Sequence, residues 1–377
     1  MNRPQPHCQP LYCQELLKPD GRRMTLYSRH AFAAPAAAPS PFPQPQEANP
    51  HLRWHPLRGE WVAYAAYRQG RTFLPPPQYN PLAPTRDPAH PTELPAGDYD
   101  VAVFDNRFPS LALDAHDPPA VTVATAPAAG HCEVVVFAQD ASASLATLQV
   151  SHIALLLQVW AARTQALASR PGIAYVLPFE NRGAEVGVTL HHPHGQIYAY
   201  PFIPPVPARM LAQEQAYFAR HGQALLVDMA RQEADAGERL LYLGPHALAF
   251  VPACARYPYE VWLMPRRQAD SFAALSAEQR GDLARALKTV LLKYDGLWQR
   301  EMPYLMAWYQ APTDGRAHPH TQLHAQFYPP YRTRERLKYL AGTELAAGMY
   351  AMDALPEESA RQLQDVRVAW EMAGDIA

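Results

Sequence analysis

The sequence predicts an α+β protein made of two tandem halves, each a mainly antiparallel sheet with one long helix. Three observations carry this. The order strand, strand, helix, strand, strand occurs twice along the 377 residues. The two copies end alike, in His194-Gly195-Gln196-Ile197-Tyr198 and His324-Ala325-Gln326-Phe327-Tyr328. The strands are short and flanked by a single long helix per copy, which suits antiparallel layers.

Taken in order, residues 1–53 form a Pro/Ala-rich leader with an early strand, and 30–50 read as an extended connection. A Trp-containing strand follows near Trp54 and Trp61, then a Pro-studded loop over 74–97. The first copy comprises strands in 99–108 and 133–138, an apolar helix near 144–169, and strands in 173–179 and 192–200. The Pro-rich run around 205 marks the boundary between halves 1–205 and 206–377. The second copy comprises 240–251, 259–265, a helix over 277–299, and strands in 302–310 and 322–330. Ser276 and Gln279 carry a capping-box signature at that helix start.

Composition bounds the function. The net charge is −2 with both signs mixed, so no basic field for nucleic acid or anionic lipid is offered. The 40 prolines are roughly double the usual share of about 5%, as Pro-rich loops between short strands require. Four cysteines, Cys8, Cys13, Cys132 and Cys254, form no disulfide framework, and a reduced cytoplasmic setting is expected. The N-terminus lacks an apolar signal core, and no run approaches the ~18 apolar residues of a membrane span.

The chemistry concentrates in His192-Pro193-His194-Gly195-Gln196. On an extended segment alternate side chains share a face, so His192, His194 and Gln196 are expected to point the same way. Gly195 lets a ligand or a neighbouring backbone approach. An imidazole is mostly neutral at pH 7 and attacks phosphorus without a separate base. His194 is the better nucleophile, because Gly195 clears space beside it and Gln196 can donate to a phosphoryl oxygen. An amide there supplies no acid, so the leaving group must depart unprotonated, as a sugar phosphate does. Arg68 and Arg71, three apart after the Trp-containing strand, can each offer a planar fork to phosphate.

The run Phe179-Glu180-Asn181-Arg182-Gly183-Ala184-Glu185, with Gly187-Val188-Thr189-Leu190 and His192–Tyr198, resembles the signature of the galactose-1-phosphate uridylyltransferases. These belong to the histidine-triad (HIT-like) superfamily and carry Gln at the third triad position. The resemblance runs from about Trp54 to about Glu358 and includes segments 55–71, 104–111, 324–330 and 338–345. It implies two HIT-like halves forming an extended half-barrel. It also implies transfer of UMP from UDP-glucose to galactose 1-phosphate, by double displacement through a uridylyl-His194. The His192 carbonyl would accept the Nδ1 proton of His194, and Gln196 would hold the transferred phosphoryl. Arg68 and Arg71 match phosphate-facing arginines, and Asn181 and Thr189 match residues at the phosphates. Phe104, Asn106 and Phe108 match the segment around uracil and ribose, with Arg107 where some members have an acid. Lys338, Ala341, Thr343 and Glu344 match the hexose-phosphate side, Thr343 standing where an aromatic hydroxyl is common and Tyr350 where a Gln is common. Members are homodimers in which that segment completes the partner's site.

Zinc in this family is held by a Cys-x-x-Cys pair, a His after the second core strand, and the first His of the motif. Here Asn80, Ala83 and Ala141 stand at the first three positions and only His192 remains. The second metal position reads Met210, Tyr309, His324 and Gln326, again with one ligand. No metal is expected at either, and His318 and His320 read as a polar loop. The second half, with Gln322 in place of the first His, is expected to be a scaffold that lends sugar-side residues. Rival readings are a nucleoside-diphosphate-sugar or dinucleotide-polyphosphate phosphorylase using the same His194, and a catalytically inert nucleotide-binding relative.

Overall fold

The computed structural model describes residues 11–33, 35–70 and 79–369. The chain opens with an edge hairpin, β1 (Tyr12–Leu17) and β2 (Arg23–Ser28), turned at Gly21 with φ 80°. A small sheet follows from β3 (His51–His55) and β4 (Glu60–Tyr64), later joined by β6 (Thr125–Pro127). The first repeat is β5 (Val101–Asp105), β7 (His131–Val136), α1 (Val150–Ala168), β8 (Tyr175–Arg182) and β9 (His194–Tyr200). Two helices come next, α2 (Pro205–His221) and α3 (Leu225–Ala236). The second repeat is β10 (Leu240–Leu243), β11 (Ala247–Phe250), β12 (Val261–Pro265), α4 (Ala277–Leu297), β13 (Tyr304–Tyr309) and β14 (His324–Tyr328). A short helix, α5 (Pro356–Gln364), packs beyond them.

Eleven strands form one open sheet in the order β1-β2-β5-β7-β9-β8-β13-β14-β12-β11-β10, every pair antiparallel. The order is symmetric about the β8–β13 seam, with β9, β7, β5 on one side and β14, β12, β11 on the other. The two halves therefore share a single α+β sheet that does not close. Across the seam Asn181 pairs with Leu305 and Phe179 with Ala307.

One face of the sheet carries α1 and α4 side by side over the largest core. Trp160 of α1, Phe272 before α4 and Trp308 of β13 meet with ring centroids 5.0–5.9 Å apart, so aromatic packing stitches the halves together. The capping box forms as expected: Gln279 N donates to Ser276 Oγ (3.2 Å) and Ser276 N to Gln279 Oε1 (2.8 Å). Helix α1 starts six residues later than 144, because Thr147 Oγ1 takes the Ser144 N–H (2.8 Å) and holds that stretch as turns.

The other face differs between the halves. Over the second half lie α2 and α3, whose Leu226 and Ala230 pack on Leu248, Phe250 and Met264. Over the first half lie the loops, whose Ala38, Leu82 and Leu94 pack on Met24, Leu26, Ala102 and Phe104. The 30–50 segment is irregular, as expected, but it is also a wall of the site below. Among the described residues no helix is long and apolar enough to cross a membrane. Cys13, Cys132 and Cys254 are free thiols.

Candidate active site

Strand β9 alternates cleanly. Gly195, Ile197 and Ala199 turn to the helix-covered core, while His194, Gln196 and Tyr198 face the opposite side. They floor a cavity of about 430 Å³. Asn181 and Phe179 of β8, Phe104 of β5 and Val134 of β7 extend that floor. Asn106 and Phe108 approach from the loop after β5, and Arg68 from the short helix after β4. Thr189 comes from the turn between β8 and β9.

His194 donates through Nδ1 to the His192 carbonyl at 2.6 Å, which leaves the lone pair on Nε2. Burial holds its pKa below the ordinary 6.5, partly opposed by that hydrogen bond, so the ring is neutral at physiological pH. Gln196 is oriented by its neighbour. Asn106 Oδ1 accepts from Phe108 N (2.8 Å), so its amide nitrogen must donate to Gln196 Oε1 (3.4 Å). The Gln196 Nε2 is thereby left to donate into the cavity. Asn181 adds an Oδ1 that is buried without a protein partner, an acceptor for a ligand hydroxyl or N–H. The Arg68 guanidinium is steadied by the Phe108 carbonyl.

Two local expectations change. His192 does not share the face of His194 and Gln196, because the strand begins at His194 and the preceding residues bend. Its ring is buried elsewhere, donating from Nε2 to the Ala138 carbonyl (2.7 Å) and facing the Asn80 amide at Nδ1 (3.0 Å). Gly195 does not clear space beside His194. A Cβ there would stand 2.7 Å from the Phe179 carbonyl oxygen and 2.8 Å from the Phe137 ring, so the glycine serves close packing beneath the strand.

Lys338, Ala341, Thr343 and Glu344 are brought together, but none lines the cavity of their own chain. Lys338 Nζ donates to the Ala351 carbonyl (2.6 Å) and lies 3.5 Å from Glu344 Oε1, whose other oxygen accepts from Ala341 N (3.2 Å). Arg71 lies outside the described residues. Among the cavity residues that escaped sequence reasoning are Arg22, Pro41, Phe42 and Glu93. Buried Glu93 holds Lys18 Nζ and Arg22 Nη2, both at 2.7 Å. Arg107, beside them, reaches Asp20 (3.4 Å) and stacks over Phe42 at 3.8 Å. These come from a low-complexity leader and a Pro-rich loop, where no periodicity marks a site. The only signal was the isolated charged residues within them.

The residues at the two implied metal positions do not fit a metal. Ala83 and Ala141 have no ligating atom, and both ring nitrogens of His192 are engaged. At the second, His324 donates from Nδ1 to the Gln322 carbonyl (2.9 Å) and meets the Gln326 amide at Nε2 (3.1 Å). Glu214, one turn beyond Met210, reaches the same small cavity, and burial raises its carboxyl pKa to about 8. His318 is held by Asp314 at 2.9 Å. Among the described residues one His–carboxylate cluster stands apart, Asp105, His131 and Glu133. It is satisfied internally, with His131 on Asp105 at 2.9 Å and Arg163 paired with Glu133.

Compared with known proteins, the chain matches the galactose-1-phosphate uridyl transferase N-terminal domain over residues 42–204 and its C-terminal domain over 210–373. It is 36% identical over 323 residues to a galactose-1-phosphate uridylyltransferase of Thermotoga maritima, covering 84% of this chain and 98% of that one. The protein of that name from Rattus norvegicus is 34% identical over 334 residues, covering 83% and 87%. A solved uridylyltransferase structure superposes with a TM-score of 0.75 at 30% identity, covering 84% of this chain and 98% of that one. An ADP-glucose phosphorylase from Arabidopsis thaliana shares the fold, with a TM-score of 0.63 at 23% identity over 85% and 100%.

Proposed function

The chain belongs to the galactose-1-phosphate uridylyltransferase family, and from that premise we propose that it moves UMP from UDP-glucose to galactose 1-phosphate through a uridylyl-His194 intermediate. The observation that carries this is the His194 ring itself. Neutral, tied at Nδ1 to the His192 carbonyl, it lines a cavity beside a glutamine whose amide is turned to donate.

In the first displacement the Nε2 lone pair attacks the α-phosphorus. The N–P bond forms as the P–O bond to the β-phosphate breaks, and glucose 1-phosphate leaves with the electron pair. Gln196 Nε2 and the Arg68 guanidinium, with Arg71 in the same role, stabilise charge on the non-bridging oxygens. Asn181 and Thr189 hold the phosphates, and Phe104, Asn106 and Phe108 enclose uracil and ribose. Gln196 supplies no proton, and a phosphate leaving group needs none. In the second displacement a phosphate oxygen of galactose 1-phosphate attacks the same phosphorus and the P–N bond breaks, regenerating neutral His194. No step requires a metal ion, since positioning and covalent capture supply the catalysis.

The chain is proposed to act as a homodimer, in which Lys338, Ala341, Thr343 and Glu344 reach the partner's cavity. Their absence from their own cavity supports this, as does the exposure of Tyr339 (76%), Leu345 (63%) and Met349 (64%) on the same segment. A cytoplasmic setting belongs to the same reading, and the free thiols suit it.

The test is incubation with UDP-glucose radiolabelled in the uridylyl group, followed by isolation of the protein. An acid-labile, base-stable adduct should form in the native enzyme, be absent from His194→Ala, and discharge to UDP-galactose on adding galactose 1-phosphate. Discharge by inorganic phosphate alone would make the protein a phosphorylase, and no adduct would refute the nucleophile. For the dimer, mixing inactive His194→Ala and Glu344→Ala chains should restore activity at sites built from one intact half of each. No recovery on mixing would sink the shared site.

A further inference from the structure

Where the resemblance implied a metal, the structure has an amide–imidazole contact. We infer that Asn80 is a positioning residue: its amide fixes the ring of His192, and His192 in turn presents the carbonyl that aims His194, so that a metal-free chain Asn80–His192–His194 orients the nucleophile. This rests on the reading of His194 as nucleophile and adds to it the part that holds it in place.

Each assignment in the chain is forced by the next. Asn80 Oδ1 accepts the Leu82 N–H at 3.0 Å, so the other end of the amide, Nδ2, is the donor. It faces His192 Nδ1 at 3.0 Å, which must then carry the lone pair. The ring proton is therefore on Nε2, where it meets the Ala138 carbonyl at 2.7 Å, an atom that can only accept. Only the neutral Nε2–H tautomer satisfies both contacts, and burial favours the neutral ring. The ring is gripped from two separate segments, the loop at Asn80 and the exit of β7 at Ala138. The next residue is anchored as well, because the Pro193 carbonyl accepts the Phe137 N–H at 3.1 Å. The peptide between these anchors holds the carbonyl that takes the His194 Nδ1 proton at 2.6 Å. A metal at His192 would have to displace one of its two partners. Here a neutral donor does the orienting that an ion could otherwise do.

The test uses the full chain labelled with ¹⁵N-histidine. Long-range ¹H–¹⁵N correlation should show His192 protonated at Nε2, its signals identified by their loss in His192→Gln. Asn80→Asp keeps the shape but replaces the donor with an acceptor. It should move a proton onto His192 Nδ1 and slow uridylyl-enzyme formation roughly 10–100-fold, with UDP-glucose affinity little changed. Asn80→Leu, which removes the donor without adding charge, should slow the same step, and thermal melting of both variants reports whether they fold. Exhaustive dialysis against a chelator should leave native adduct formation unaltered. A native Nδ1–H tautomer, a native rate in Asn80→Asp, or loss of the adduct on chelation would each overturn the inference while leaving the nucleophile standing. No adduct in native protein would instead overturn the nucleophile itself, and the inference with it.

Discussion

His194 on β9 and His324 on β14 occupy matching places in the two repeats, each followed two residues later by a glutamine on the same face of the sheet. Their surroundings are opposite. Over His194 the loops leave a cavity of about 430 Å³, whereas over His324 helix α2 leaves about 10 Å³, lined by Met210, Leu211 and Glu214. The glutamines differ accordingly. Gln196 is turned by Asn106, freeing its amide nitrogen for the cavity, while Gln326 takes the Tyr328 hydroxyl on its oxygen and spends its nitrogen on His324. Closed in against Tyr309 and Trp262, His324 has its pKa pushed down to about 4 by burial. The same motif thus lines an open cavity in one half and closes into a structural network in the other, according to what covers it and where its glutamine points.

The largest effect should separate the two histidines. His194→Ala should lower uridylyl transfer by at least about 10⁴-fold. His324→Ala should leave adduct formation near the native rate and cost about 1–3 kcal/mol of stability in unpaired partners, read by denaturant unfolding. Equal losses of rate would erase the distinction. Because partial burial lowers the His194 pKa, the acid limb of native adduct formation should fall below pH 6.5, and a limb at pH 7 would contradict a neutral, half-buried ring.

Next come the glutamines. Gln196→Ala should slow turnover by about 10²–10³-fold, with Gln326→Ala altering stability but not rate. Gln196→His would add an acid beside the phosphorus, and water should then discharge the adduct faster than in the native enzyme. Unchanged hydrolysis would show that the amide's lack of a proton is not what it contributes.

The intervening residues give a smaller contrast. Gly195→Ala should destabilise by roughly 1–3 kcal/mol through the Phe179 carbonyl and Phe137 ring. Ala325→Gly at the matching buried position should cost about 1 kcal/mol or less. Thermal melting of both variants decides this, and a harmless Gly195→Ala would reopen a ligand-side role for that glycine.

An effect confined to one end of the pH range lies in helix α2, which covers the second half. The Glu214 carboxyl is raised from 4.5 to about 8, so the folded state binds a proton that the unfolded state has lost. The stability this group allows is fully present at low pH and is lost as pH rises from about 4.5 through 8. Glu214→Gln should therefore gain stability over native protein at pH 8, by roughly 1–3 kcal/mol, and little at pH 5. A gain independent of pH would mean that Glu214 is not the titrating group.

Much of this was legible in the chain. Strands with clear apolar runs and the α4 capping box lie within a few residues of where pattern placed them, because they follow from local sequence alone. Helices α2 and α3 were not read. The Pro-rich run around 205 marked only a boundary between halves, although Pro is well suited to a first helical turn and Gly222 and Gly237, both at positive φ, close the two helices. The contribution of Arg22, Phe42 and Glu93 was invisible too, since irregular segments carry no periodicity from which to infer a neighbour.

By itself the sequence determined the repeat and the α+β character, and it singled out His194 and Gln196 as the proposed reactive pair, because these depend on residue type and short-range spacing. Tertiary structure decided which copy is open, which way each glutamine amide faces, and that His192 is held by Asn80 and Ala138 rather than sharing the cavity. Asn80 and His192 are 112 residues apart. A hydrogen bond across that separation exists only once the sheet and its loops have closed around it, and no local pattern encodes it.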